Sequence, residues 1–110
     1  MPRFRLTKRA QADVEGIGEF TRDRWDERQA VVYLTGLDAC FARLVEMPAL
    51  ARPYRLLPPY EWFRYGSHVI YFRRKEDDDI VVVRVLGKTM LPELHFDPSL
   101  DDEPEEDEQP

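Results

Sequence analysis

The sequence predicts an α+β fold in which a helical hairpin packs on a small, mostly antiparallel sheet, in the order β-α-α-β-β-β. Residues 8–24 and 27–46 carry apolar side chains at the roughly 3.6-residue period of an amphipathic helix. Between residues 61 and 90, three short runs of β-branched and aromatic residues are separated by turn residues. Because the turns between these runs are short, we expect the three strands to be antiparallel neighbours.

A short strand and a first helix begin the chain. Phe4 and Leu6 alternate with polar residues between positions 3 and 7, which is typical of a strand with one buried face. Thr7 is suited to accept a hydrogen bond from the backbone at the start of a helix over about residues 8–24. The apolar positions of this helix that we expect to face the protein core are Ala10, Val14, Ile17, Phe20 or Thr21, and Trp25.

A second helix follows after a break of only a few residues. Asp26 is a favourable N-cap for a helix over residues 27–46, and the short break predicts an antiparallel helix pair. Pro48 ends this helix because proline cannot continue the hydrogen-bond ladder. Residues 49–60 contain further prolines and are expected to form a surface loop.

The remaining strands are predicted at residues 62–65, 68–74 and 80–86, and Gly66-Ser67 fits a two-residue hairpin turn between the first two. The last strand is apolar on both faces, whereas a half-solvated strand alternates apolar with polar residues. Strict alternation divides it into a set predicted to face the body of the protein, Val81, Val83 and Val85, and a set predicted to face outward, Ile80, Val82, Arg84 and Leu86. We expect the outward set to be covered, and another chain is a candidate for that cover.

The acidic residues are concentrated at the C-terminus. The formal net charge is −6, but 8 of the 22 acidic residues lie between positions 97 and 110, and the other 14 are outnumbered by the 16 Lys and Arg. We therefore predict one domain over residues 1–96, with a slightly basic body, and a disordered acidic tail over residues 97–110. The tail either increases solubility, mimics nucleic acid or shields a basic surface.

The composition narrows the class of protein further. No apolar run reaches the roughly 18 residues of a membrane helix, and no signal-peptide core follows the first residues, so we expect a cytoplasmic protein with no membrane partner. Cys40 is the only cysteine, so we predict neither a disulfide nor a zinc site and expect Cys40 to be a small core residue. No phosphate-binding loop or metal-ligand spacing is present, and we predict no metal and no cofactor.

Several stretches, taken in order, carry a family resemblance. They are residues 5–14 at the strand-to-helix entry, 25–34 around the turn between the helices, 44–48 at the helix exit, 66–73, 83–86, and then Met90 and His95. This ordered set resembles the ParE toxins of the ParE/RelE superfamily, the toxin half of bacterial toxin–antitoxin pairs. The resemblance covers roughly residues 3–96 and leaves the acidic tail outside.

The resemblance implies a toxin that inhibits DNA gyrase, is not itself an enzyme, and forms a hetero-oligomer with a neutralising ParD-like antitoxin. It implies binding to operator DNA only through the antitoxin. The residues that we expect to bind the antitoxin are Ile80, Val82, Arg84, Leu86, Tyr71 and Arg73. The residues that we expect to bind the target are Lys88, Met90, His95 and Phe96.

The sister RelE branch suggests an alternative, a ribosome-dependent mRNA endonuclease. That chemistry needs a base, an acid and cations, so Arg64, Arg84 and His95 would have to meet within about 5–8 Å. Glu61 and His68 are further acid–base candidates, although a hydrogen bond that fixes the turn is the favoured interpretation of His68. For Arg84, an ion pair with an antitoxin carboxylate or a core acid is favoured over phosphate binding. A third alternative is a non-toxic relative that only binds its antitoxin.

Overall fold

The computed structural model describes residues 3–95, which form two helices and one five-stranded sheet. The elements in chain order are β1 (Phe4–Leu6), α1 (Lys8–Arg24), α2 (Glu27–Glu46), β2 (Arg52–Pro53), β3 (Glu61–Tyr65), β4 (His68–Arg74) and β5 (Ile80–Gly87). The strand order across the sheet is β1-β5-β4-β3-β2, with β1 parallel to β5 and all other pairs antiparallel. The predicted α+β class is confirmed, and the structure adds β2 within the predicted loop.

Both helices begin at the capping residues that the sequence predicts. Thr7 Oγ1 accepts a hydrogen bond from the Ala10 N–H at 3.1 Å, and the Asp26 carboxylate accepts one from the Gln29 N–H at 2.8 Å. Thr7 Oγ1 also donates to the Val83 carbonyl of β5 at 3.1 Å. The start of α1 is therefore fixed to β5, which positions the first turns of the helix over this strand.

A β-bulge in β5 determines which of its side chains face the helices. Val82 pairs with Phe72, but Arg84 pairs with Tyr71, so β5 has one additional residue between these two pairs. The predicted division of β5 is therefore wrong, because it assumed unbroken alternation. The side chains that enter the core beneath the helices are Ile80, Val82 and Val85, and those on the outer face are Val81, Val83 and Leu86.

The outer face of β5 is covered by the chain itself. Tyr54, Leu57 and Tyr60, from the loop before β3, pack over the outer side chains of β4 and β5. Backbone hydrogen bonds hold this loop in a compact shape, including one from the Tyr54 N–H to the Tyr60 carbonyl at 2.8 Å. Val81 and Val83 are fully buried within the single chain, so this loop supplies a cover for which another chain was a candidate.

The core beneath the helices accounts for two further residues. Cys40 is buried there, and burial raises the pKa of its thiol above the ordinary value, as for a small core residue rather than a nucleophile. Gly36 of α2 lies directly against the Tyr65 ring, where a Cβ atom would come within 2.0 Å of the Tyr65 hydroxyl. The absence of a side chain at Gly36 thus lets α2 approach the end of β3.

Candidate functional site

The outer face of the sheet carries an unusual set of basic residues. Residues that pair on neighbouring strands point to the same side, so the observed register assigns each side chain to a face. The arginines at outer-facing strand positions are Arg5, Arg52, Arg64, Arg73 and Arg84, and we call them the arginine face. Within residues 3–95, no outer-facing strand position holds Asp or Glu.

Arg84 is held by an acidic residue of α1. Its Nε and Nη2 atoms donate to the two carboxylate oxygens of Asp13 at 2.8 and 2.9 Å, a bidentate arrangement. The Val85 N–H also donates to Asp13 at 2.9 Å, and Arg84 Nη1 donates to the His95 carbonyl. Both side chains are largely buried, with 10% and 15% of their surface exposed. Asp13 is thus the core acid that the sequence reading left open for Arg84.

The three residues of the nuclease alternative do not share one centre. Arg84 is bound to Asp13, and only the backbone carbonyl of His95 contacts it. Arg64 is exposed on β3, where its Nε donates to the Gly66 carbonyl at 3.3 Å. Because β4 lies between β3 and β5, the backbones that carry Arg64 and Arg84 are separated by about 10 Å or more. This arrangement does not assemble an acid, a base and a cation on one phosphate.

His68 and Glu61, the other acid–base candidates, have structural partners. The Tyr33 hydroxyl of α2 lies 2.8 Å from His68 Nδ1, donates to the Tyr65 carbonyl at 3.2 Å, and accepts from the Ser67 N–H at 3.2 Å. Burial lowers the pKa of His68 below its ordinary value of 6.5, although the Asp13 carboxylate opposes this effect. These contacts fix the β3–β4 turn, as the favoured interpretation of His68 predicts. Glu61 pairs with Arg74 at 3.6 Å.

Several residues predicted to bind an antitoxin lie inside the protein. Ile80 and Val82 are fully buried beneath the helices, so they present no surface to a partner on the outer face. Their expected outward orientation was wrong, because strict alternation puts them on the same face as Leu86, whereas the bulge after Val82 places Leu86 on the opposite face. Leu86 and Tyr71 do face outward, but the loop covers them to 2% and 7% exposure. Arg73 is half-buried and stands at the surface of the arginine face.

The residues predicted to bind a target continue from the end of β5. In the turn there, the Met90 N–H donates to the Gly87 carbonyl at 2.9 Å, and the Lys88 N–H donates to the Ser67 carbonyl at 2.9 Å. Lys88 and Met90 are exposed and His95 is half-buried, whereas Phe96 lies outside the described residues. This segment also exposes Leu91 and Leu94, at 55% and 72%. It therefore presents an apolar surface with a lysine at its start.

Glu93 of this segment lies near the tyrosines that cover the outer face. Burial raises the pKa values of the Tyr54 and Tyr71 hydroxyls above the ordinary 10.0, and the Glu93 carboxylate adds to the rise in both. Together with the Arg84 contact to the His95 carbonyl, this places residues 93–95 beside the outer face.

A second exposed apolar group lies at the tip of the helical hairpin. Phe20, Trp25 and Val32 are 63%, 64% and 61% exposed. This group was not expected from the sequence, because the helical period of α1 predicts Trp25 and either Phe20 or Thr21 as core positions. Thr21 is the half-buried member of that choice, and its hydroxyl donates to the Ile17 carbonyl at 2.8 Å.

The described part of the chain has neither a metal-binding cluster nor a membrane-spanning helix. Within residues 3–95, no group of three or more His, Cys, Asp or Glu residues is arranged to hold a metal ion. Within the same range, no helix is both long enough and apolar enough to cross a membrane.

Comparison with known proteins connects this geometry to a family. Residues 4–92 match the family described as "ParE toxin of type II toxin-antitoxin system, parDE". The Toxin ParE1 of Caulobacter vibrioides is 31% identical over 97 residues, covering 87% of this chain and 99% of that protein. The Toxin ParE1 of Mycobacterium tuberculosis is 36% identical over 89 residues, covering 80% of this chain and 91% of that protein.

A solved structure shares the fold. A chain in the structure titled "Chromosomal ParDE TA system from P. aeruginosa" superposes with a TM-score of 0.68 at 17% identity. The match covers 79% of this chain and 96% of the other. At this identity, the similarity establishes the shared fold alone.

Proposed function

The chain belongs to the ParE toxin family of type II toxin–antitoxin systems, and we propose that it inhibits DNA gyrase and is neutralised by a ParD-like antitoxin. The family match over residues 4–92 is the observation that carries the proposal. The gyrase target follows from the family resemblance. In this proposal the protein acts in the cytoplasm and contacts operator DNA only through the antitoxin.

The proposed mode of action is binding, without catalysis by the toxin itself. The arrangement of Arg84 supports this, because its guanidinium is engaged by Asp13 and is not presented to a phosphate. Arg64 is exposed near the β3–β4 turn, where its Nε donates to the Gly66 carbonyl. A protein that blocks another enzyme needs a complementary surface, and it needs no acid–base pair of its own.

We place the antitoxin over the outer face of the sheet. Arg73 stands at that surface, whereas Tyr71, Leu86 and Arg84 lie directly beneath it and support its shape. An antitoxin segment with carboxylates would complement the arginine face, and charge-assisted hydrogen bonds to arginine are among the stronger polar contacts.

We place the gyrase contact on the segment after β5, with Lys88, Met90 and His95 as predicted. This segment exposes Leu91 and Leu94, and exposed apolar groups of this kind mark interaction surfaces.

A supercoiling assay tests the proposed target. Purified gyrase is incubated with the toxin, with and without ATP, and a ribosome-programmed mRNA cleavage assay is run beside it. Loss of supercoiling or accumulation of cleaved DNA, with intact mRNA, is the expected result. Cut mRNA with normal gyrase activity would contradict the proposal and favour the RelE-type alternative. Activity in neither assay would favour a non-toxic relative that only binds its antitoxin.

A matched pair of substitutions tests the proposed contact segment. Leu94→Glu introduces a charge where apolar contact with gyrase is proposed, and we expect at least a tenfold rise in the concentration needed for inhibition, equivalent to about 1.4 kcal/mol. Leu56→Glu is the control, since Leu56 is 74% exposed against 72% for Leu94 but lies in the loop before β3. Equal effects of the two substitutions would remove the segment from the gyrase contact.

A further inference from the structure

We propose that the acidic segment over residues 97–110 docks on the arginine face of the same chain. This segment holds 8 of the protein's 22 acidic residues and no Lys or Arg. The docked segment would act as an intramolecular cover for the basic side of the sheet. The proposal concerns a contact within the chain, and it stands independently of the proposed gyrase target.

Charge complementarity is the first support for this occupant. The arginine face carries five arginines, and Asp13 compensates the charge of Arg84. Arg52 and Arg64 are exposed, and Arg55 adds a further exposed cation in the adjoining loop. No outer-facing strand position of residues 3–95 is acidic, and Glu93 is an acidic residue that lies beside this face. The exposed guanidinium groups of Arg52, Arg55 and Arg64 are therefore the cations that would attract the acidic segment.

The point at which the described chain ends is the second support. Arg84 donates to the carbonyl of His95, and Arg84 pairs across strands with Tyr71 in the middle of the outer face. The following residues therefore start beside the arginine face. Fifteen residues, 96–110, span up to about 50 Å when extended, whereas a sheet of five strands is roughly 20 Å across. The acidic segment can thus reach every arginine of the face.

Because the acidic segment is tethered to the face that it would bind, weak ion pairs are sufficient to keep it docked for much of the time. A segment joined to its binding surface by a few residues has an effective concentration in the millimolar range, so individually weak ion pairs produce a substantial docked population. Carboxylates and guanidinium groups form bidentate hydrogen bonds without demanding a single backbone conformation. Because the contacts lie at the surface, salt should weaken them strongly. A partner that brings carboxylates to this face would first have to displace the segment.

Paramagnetic relaxation in the full chain tests the proposal. A nitroxide is attached to Ser99→Cys in a Cys40→Ala background, and the indole N–H signals of the two tryptophans are compared. Trp62 lies on the outer face, and Trp25 lies at the tip of the helices. We expect the Trp62 signal to lose about half its intensity or more, consistent with millimolar effective concentration. The Trp25 signal should stay near its diamagnetic value.

Three comparisons test whether charged groups hold the segment on the face. The broadening of Trp62 should vanish when the eight carboxylates of the segment are changed to amides, and also at about 1 M NaCl, where the Debye length is near 3 Å. The double substitution Arg52→Gln with Arg64→Gln should reduce the broadening at least about twofold by removing two cations from the face. The matched control is Arg24→Gln with Arg28→Gln, two exposed arginines of the helices, which should leave it unchanged.

Several results would overturn the proposal. Equal broadening of both tryptophans, or broadening confined to Trp25, would show that the segment does not prefer the outer face. Equal effects of the two arginine pairs would show that the arginine face does not hold it. Broadening that grows with protein concentration would assign the contact to a second copy of the chain. If the Cys40→Ala background unfolds, chemical-shift differences between the native chain and the amide-tailed chain provide the same test, with shifts expected only at outer-face residues.

Discussion

Removal of the negative charge of Asp13 is expected to destabilise the fold by about 3 kcal/mol, the lower end for leaving one member of a buried ion pair uncompensated. The substitution Asp13→Asn keeps the shape of the side chain and an oxygen that can still accept from the Val85 N–H. It removes the charge of Asp13 from the guanidinium of Arg84, which has only 10% of its side-chain surface exposed. The loss should therefore come from the ion pair rather than from packing.

The size of this loss makes it easy to measure. For a domain of this length, 1 kcal/mol shifts the midpoint of thermal unfolding by about 4–8 °C, so the expected decrease is roughly 12–24 °C. Urea unfolding followed by circular dichroism gives the free energy directly. The double substitution Asp13→Leu with Arg84→Met should recover part of the loss, because replacing a whole buried pair with apolar residues is often tolerated.

A surface ion pair of the same chain is the control. Arg22 and Glu27 are 3.5 Å apart, and their side chains are 40% and 73% exposed. Glu27→Gln should therefore cost no more than about 1 kcal/mol. If Asp13→Asn costs no more than this control, or if the double substitution is at least as unstable as the sum of Asp13→Leu and Arg84→Met measured singly, the pair does not hold α1 to β5 and the reasoning fails.

Three further predictions concern stability. Since burial lowers the pKa of His68, the unfolded chain binds a proton at this residue more readily than the folded chain does. The free energy of unfolding should therefore fall as the pH drops below about 6.5. In urea titrations at pH 5 and 7.5, His68→Gln should reduce that pH dependence. Gly36→Ala should destabilise the fold by about 1–3 kcal/mol, because the added Cβ would overlap the Tyr65 hydroxyl. Gly16 has open space around it, so Gly16→Ala should stabilise α1 by up to about 1 kcal/mol. Deleting residues 97–110 should change the free energy of unfolding by less than about 1 kcal/mol, because surface ion pairs contribute little.

Each of these has a result that contradicts it. An unchanged pH dependence in His68→Gln would mean that another group controls acid stability. Equal effects of Gly36→Ala and Gly16→Ala would show that Tyr65 moves aside at little cost. A large loss of stability on removal of residues 97–110 would mean that the segment forms part of the core rather than a surface cover.

The helices were predictable from the sequence because their signals are local. The caps Thr7 and Asp26 and the apolar period determine the bounds of α1 and α2, and both helices have the predicted ranges. Strand β2 has two residues and exists only because Arg52 pairs with Trp62, so no periodicity could show it. The tip of the helical hairpin was mistaken for core because Phe20 and Thr21 fit the same helical period.

The candidate site depended on contacts between distant residues, which sequence periodicity does not contain. The bulge in β5 arises from its pairing with β4, and a single additional residue reverses which valines face the helices. An arginine in an apolar strand indicates that an acid is near, but Asp13 lies 71 residues away in the sequence. The arginine face emerges only when the register brings residues from five strands to one side.

The parallel pairing of β1 with β5 has a consequence for synthesis of the protein. Strand β1 leaves the ribosome first, yet its pairing partners are Ile80, Val81 and Val82, so this edge of the sheet cannot close until most of the described chain has emerged. Contacts of such long range form slowly compared with those of a helical hairpin. The helices are therefore expected to form on the nascent chain well before the sheet is complete. During that interval the apolar face of the helices lacks the strand that later covers it, which makes translation the period of greatest exposure to aggregation or chaperone binding.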